Sequence, residues 1–205
     1  MIGMEEEVKY TVRDNFAQRT DEWYAARLGK LTASKAQAIG NCGKGLETLC
    51  WEKAAEILTG KGHEQLENAD ITRGIELEDE ARGAYTIETG NFVQQVGFVE
   101  YGEYAGCSPD GLVNDDGGIE IKCKNDVNHV KLMVERKIDS GYMWQVQMNL
   151  LVTARKWWDF VSYNPNFTDN PLIIIRVYPD KEMQDKLKEG LKIGAKRIKE
   201  ILSEV

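Results

Sequence analysis

The residues of this chain best suited to chemistry lie in one short stretch, SPDGLVNDDGGIEIKCK, from Ser108 to Lys124. Side chains alternate across a strand, so Glu120 and Lys122 share one face while Ile119, Ile121 and Cys123 take the other. Asp110 stands upstream, directly after a proline. NDDGG, at Asn114–Gly118, supplies turn residues and predicts a hairpin. With one parity of strand register Asp110 joins Glu120 and Lys122. A slip of one residue sends it to the far side. In the first case two carboxylates and an ammonium converge. Hard oxygen donors of this kind suit Mg²⁺, or Mn²⁺ in its place. A cation there promotes ionisation of a water and neutralises charge building on a phosphodiester, and the lysine can position that water or offset the same charge. The outline is that of a hydrolytic phosphodiester site. The plainer alternative is that an acid and a lysine two residues apart on a half-exposed strand form a solvated face. An EF-hand calcium loop is excluded, because starting at Asp110 its third position is Leu112 and its sixth Asp115.

A further acid comes from DITRGIELEDEARGAYTIETG. At about 100° per residue, Glu78 falls at the centre of a stripe made by Ile71, Gly74, Ile75, Ala81 and Tyr85. Glu76 and Glu80 point nearly opposite, toward water. An acid on an apolar stripe is costly unless something pairs with it. Arg82, one turn on, is the simple partner. The cation site is the other.

Elements must hold these residues. TDEWYAARLGK reads as a helix opening at a Thr–Asp pair. TASKAQAIG is a short helix with Thr32 as cap and Gly40 as stop, and GLETLCWEKAAEILTG is a third with Leu46, Leu49, Cys50, Ala54 and Ile57 as its apolar stripe. A long fourth helix covers about 68–89 and ends at Gly90. The period then changes. NFVQQVGFVEY, EYAGCS, DGLVN and GGIEIKCK read as strands. IDSGYMWQVQMNLLVTAR is a helix apolar nearly all round, which implies burial. KWWDFVSYN and PLIIIRVYP are strands, and an amphipathic helix closes the chain. The expected fold is α/β, a mixed central β-sheet flanked by helices. Residues 1–15 read as a loosely held end and 16–205 as a single domain.

The 205 residues carry a net charge of −8, from 34 acidic and 26 basic side chains. That argues against a general nucleic-acid coat protein, and permits nucleic acid held in one local groove or cations held in a carboxylate pocket. Cys42, Cys50, Cys107 and Cys123 form no CxxC pair and read as reduced thiols. No segment approaches a membrane span and the acidic N-terminus lacks secretory features, so no membrane association and a cytoplasmic address are expected.

SPDGLV…GIEIKCK resembles the PD-(D/E)XK (restriction-endonuclease-like) nuclease core. WYAARLGKLTAS, RGIELEDEARGAYTIETG and YMWQVQMNLLVTARKWWDFVSYNP narrow the likeness. In this order the four blocks, over roughly residues 20–165, resemble the lambda exonuclease family, the YqaJ-like viral recombinases. The resemblance implies a Mg²⁺-dependent 5′→3′ exonuclease on linear double-stranded DNA that leaves 3′ single-stranded overhangs in phage recombination. It also implies a ring-shaped trimer, a single-strand annealing protein as partner and, for a phage-encoded chain, the host cytoplasm. By motif, Asp110 and Glu120 would bind metal with the Ile121 main-chain carbonyl. Lys122 would be catalytic, and Glu78 the helix-borne acid. Arg27 and Ser34 match the pocket for a 5′-phosphate, and a helix starting near Thr32 would offer it free N–H groups. Ser108 and Gln145 match residues lining the active site. Periodicity alone does not choose between Gln145 and Gln147, and for Arg27 a surface salt bridge with Asp21 or Glu22 is the plain alternative.

Two features depart from the family pattern: Lys124 stands where a proline is usual, and GNCGKGLET carries only Lys44 as a basic residue. The rival functions are an endonuclease on the same core, of restriction or junction-resolving type, and a DNA-end binder without catalysis. Iron–sulfur relatives need a cysteine cluster near the C-terminus, and no cysteine follows Cys123.

Overall fold

In a computed structural model, which describes residues 10–62 and 69–205, the chain opens with strand β1 (Tyr10–Arg13) and helix α1 (Asp21–Arg27). There follow β2 (Leu31–Thr32), a 3₁₀ turn (Ala33–Lys35), α2 (Ala36–Asn41), α3 (Lys44–Thr59) and α4 (Ala69–Thr89). The strands β3 (Val93–Gln94), β4 (Phe98–Tyr101), β5 (Ala105–Cys107), β6 (Gly111–Val113) and β7 (Gly117–Lys122) come next. The chain ends with α5 (Asp126–Glu135), α6 (Ser140–Thr153), β8 (Trp157–Tyr163), β9 (Leu172–Val177) and α7 (Lys181–Ser203).

The mixed α/β architecture is as expected, but the strands divide between two sheets, ordered β1-β4-β5-β2 and β3-β6-β7-β8-β9. Each is mixed, because β2 runs parallel to β5 and β7 parallel to β8 while the other pairs are antiparallel. The stretch NFVQQVGFVEY is therefore two strands in different sheets rather than one. It breaks at Val96–Gly97, where the Gln18 amide donates to the Val96 carbonyl and a side chain on Gly97 would strike Phe16. Tyr10–Arg13, inside the segment expected to be loosely held, pairs with β4, and residues 1–9 lie outside the described part.

The large core gathers α2, α3, α6 and α7 on one side of β8, with Trp144, Met148, Trp158, Phe160 and Leu187 among its members. A smaller core lies under α4, where Ala81 and Tyr85 meet Val113, Ile119, Ile121 and Val161. Thus α4 and α6 cover opposite faces of the five-stranded sheet. No helix among the described residues is long and apolar enough to cross a membrane.

Several local expectations are corrected. Thr32 ends β2 and stands at the N-cap position of the 3₁₀ turn, but its side chain makes no capping hydrogen bond; its hydroxyl lies 3.3 Å from that of Ser34 instead. The helix after it begins only at Ala36 and runs past Gly40 to Asn41, with Cys42 left-handed at φ 50°. Helix α3 matches its expected stripe except at Ile57, which is exposed. Helix α5 was not expected at all. The turn is shorter than NDDGG, Asn114–Asp116, and Gly117 and Gly118 belong to the strand, as the reading of GGIEIKCK expects. A Cβ at either glycine would strike Trp157 or Trp158 across the parallel β7–β8 pair, so bare backbone is what lets the tryptophans lie there.

Candidate active site

The hairpin register decides whether the acids converge. Gly111 pairs with Ile119 and Val113 with Gly117, so Asp110, one residue before β6, stands opposite Glu120. The parity is the one that puts both on the face turned toward α6. Asp110 Oδ2 accepts from the Ile121 N–H at 2.6 Å, clamping the aspartate across the mouth of the hairpin. Among the described residues its Oδ1 accepts no hydrogen bond.

Glu120 is 1% exposed, so its charge depends on donors. Lys122 Nζ and Gln145 Nε2 each reach Oε1 at 2.6 Å, and Asn149 Nδ2 reaches Oε2 at 3.0 Å. Burial together with the Glu120 charge holds the Asp110 carboxyl well above the usual carboxylate range. Burial acts against the Lys122 ammonium, but Glu120 and Asp110 outweigh it and keep its pKa above the ordinary lysine value. Lys122 is therefore a fixed cation at neutral pH.

Glu78 lies on the packed side of α4, though Ile75 of its expected stripe is exposed and the Ile71 side chain lies outside the described residues. Its carboxylate is paired with Arg82 at 2.7 Å and with Arg19 at 2.6 Å, so both oxygens are occupied. Arg82 also donates to the Asp110 carbonyl at 3.1 Å, and the Glu78 charge is felt at Asp110. The ion-pair partner is thus observed, beside the carboxylate pair. Glu80, expected to face water, accepts from the Tyr163 hydroxyl at 2.5 Å.

Arg27 donates to Ser108 Oγ at 2.8 Å, as does the Trp23 indole at 2.9 Å, and its guanidinium lies 4.3 Å over the Trp23 ring. It makes no ion pair with Asp21 or Glu22, and burial lowers its pKa. A desolvated guanidinium without a carboxylate partner is suited to receiving an anion. Among the described residues Ser34 is hydrogen-bonded to Thr32 rather than to that pair. It lines a cleft of about 560 Å³ with Lys35, Gln37, Tyr142 and Gln145. The helical segment expected to start near Thr32 opens there as the 3₁₀ turn, which runs directly into α2.

The structure separates the two glutamines: Gln145 faces Glu120, whereas Gln147 is tied to the Tyr178 carbonyl and the Asp180 N–H. Lys124 faces neither water nor a free space. It pairs with Asp139 at 3.1 Å and lies 4.7 Å from the Tyr142 ring centroid. Asn149, Trp23 and Tyr142 were not singled out from the sequence as site residues. Asn149 had a signal, standing one helical turn after Gln145.

Among the described residues no three His, Cys, Asp or Glu side chains form a ready metal cage. The donor set nevertheless fits a hard cation. Two carboxylates stand on one face of the hairpin, burial and then the Glu120 charge raise the Asp110 pKa, and one Asp110 oxygen is free. Mg²⁺ takes one or two carboxylates and keeps waters and phosphate oxygens as its remaining ligands.

Known proteins give this geometry a context. An alkaline exonuclease, LHK-Exo, from Laribacter hongkongensis is 34% identical, with 90% of this chain and 95% of that chain covered and a TM-score of 0.83. The same protein in complex with dAMP matches at 34% identity over the same shares, with a TM-score of 0.82. A phage-related exonuclease from Haemophilus somnus 129PT, 18% identical over 85% of this chain and 96% of that one, shares the fold at a TM-score of 0.62. No curated protein matches. The YqaJ-like viral recombinase domain matches residues 22–156, a span that contains Arg27, Ser34, Glu78, Ser108, Asp110, Glu120, Lys122 and Gln145, and the chain belongs to that family.

Proposed function

We propose that this DNA nuclease is a Mg²⁺-dependent 5′→3′ exonuclease that digests linear duplex DNA from its ends and leaves 3′ single-stranded overhangs for recombination. The observation that carries the reading is the meeting of Asp110, Glu120 and Lys122 at one hairpin, with a desolvated, unpaired Arg27 nearby in the fold. Asp110 and Glu120, with the Ile121 carbonyl, would hold the cation. When bound, it supplies Lewis acidity toward a phosphodiester oxygen and a more readily ionised water. Lys122, locked as an ammonium, offsets charge on the phosphate rather than taking a proton. Gln145 orients Glu120 through Oε1. Glu78, held by two arginines, contributes negative charge beside Asp110. Arg27, Ser108 and Ser34 are the donors offered to the terminal 5′-phosphate. A single-strand annealing protein as partner and a ring-shaped trimer complete the proposal.

Linear duplex, 5′-phosphorylated and end-labelled on each strand in turn, tests it alongside covalently closed circles. Release of the 5′ label first, preference for phosphorylated over hydroxyl ends, and intact circles are expected. Cutting of the circles would instead indicate an endonuclease on this core. Binding of ends without hydrolysis would indicate a non-catalytic end binder.

A further inference from the structure

We infer that Asn149 is a positioning residue for Glu120, setting the plane in which its carboxylate meets the cation. The inference rests on the reading above, in which Glu120 is a cation ligand.

Glu120 Oε1 is held twice, by Lys122 and by Gln145, whereas Oε2 is held among the described residues by Asn149 alone. The terminal torsion of a glutamate is broad. With only Oε1 fixed, the carboxylate can turn about its end, and the Asn149 amide is what stops that turn. It comes from the turn of α6 that follows Gln145, so one rigid helix delivers both amides.

The amide is there at a cost. Asn149 is fully buried, and its Oδ1 has no hydrogen-bond partner. Flipping the amide would set Oδ1 against Glu120 Oε2, acceptor against acceptor. Glu120 therefore dictates the orientation, and the bare oxygen is its consequence. A buried acceptor left unpaired destabilises a fold. The residues around it on the helix, Val146, Met148, Leu150 and Val152, are buried and apolar, so packing does not ask for an amide. Gln147, on the same helix, shows what a structural amide looks like. Its Nε2 donates to the Tyr178 carbonyl at 2.9 Å and its Oε1 accepts from the Asp180 N–H at 2.9 Å, so both ends are satisfied.

The test is Mn²⁺ titration of the DNA-free protein by calorimetry, with thermal melts of each variant. Asn149→Ala is expected to bind Mn²⁺ about tenfold or more weakly, the usual effect of removing a group that orients a metal ligand. Asn149→Ser keeps a short donor and should fall between, and it carries the test if the alanine variant does not fold. Gln147→Ala should lower the melting temperature yet keep wild-type Mn²⁺ affinity. Wild-type affinity in both Asn149 variants, or an equal loss in Gln147→Ala, overturns the proposal. Wild-type protein that binds no Mn²⁺, or Glu120→Gln that binds it unchanged, overturns the underlying reading and this proposal with it.

Discussion

Three buried acids show why burial alone does not mark a catalytic group. Glu56 accepts from the Gly29 N–H and from Lys53, and Asp159 accepts from Tyr85 and twice from Arg176, so each is satisfied by its donors. Glu120 is equally well supplied with donors, but it faces Asp110. Burial and that pairing together raise the Asp110 pKa, which gives a stability prediction with a definite sign. The folded state holds a proton on Asp110 that the unfolded chain releases at lower pH. Folding stability therefore falls as pH climbs from the unfolded pKa through the folded one. In chelator, Asp110→Asn should melt higher than wild type at neutral pH, by about 2–4 °C for each kcal/mol relieved at this chain length. The difference should shrink as pH is lowered toward the unfolded carboxyl value. An asparagine variant that melts lower at neutral pH would show that neither burial nor the Glu120 charge penalises the Asp110 carboxylate.

The elements that position these residues were legible where chemistry and periodicity coincide. GIEIK announced its own strand, and the alternation put Glu120 and Lys122 on one face. The register was not legible, since either parity fits the same residues. Helix α5 was hidden because its valines are misleading: Val127, Val130 and Val134 are exposed, while His129 and Leu132 are the buried residues. The apolar period therefore points away from the core. A cap signal was present in Asn125, whose side chain accepts from the Asn128 N–H. Gly117 and Gly118 fit both the NDDGG turn and the GGIEIKCK strand by composition, which cannot reveal that two tryptophans lie across them. The consequence is testable. Gly118→Val favours strand by propensity, yet should destabilise by about 1–3 kcal/mol through overpacking against Trp158. Denaturant unfolding measures this, and an unchanged midpoint would mean Trp158 has room to move.

For the whole molecule, the four sequence blocks that suggested the family fall in one connected region. The α1 block supplies Arg27, α4 supplies Glu78, the hairpin supplies Asp110, Glu120 and Lys122, and α6 supplies Gln145 and Asn149. Spacing alone carried the hairpin and pointed to Glu78, whereas Arg27, Ser34 and Ser108 became legible through the motif, which also chose Gln145 over Gln147. The net charge of −8 makes a general DNA-coating surface unsuitable.

The most direct measurement follows acid-soluble nucleotide released from linear duplex by wild type and by Lys122→Ala, each with Mg²⁺ and with excess chelator, while DNA binding is monitored in parallel. Release by wild type with Mg²⁺ alone is expected, together with a loss of at least about a hundredfold in Lys122→Ala at unchanged DNA binding. Equal release in chelator, or full activity without the Lys122 ammonium, would contradict a cation-dependent centre built from Asp110, Glu120 and Lys122.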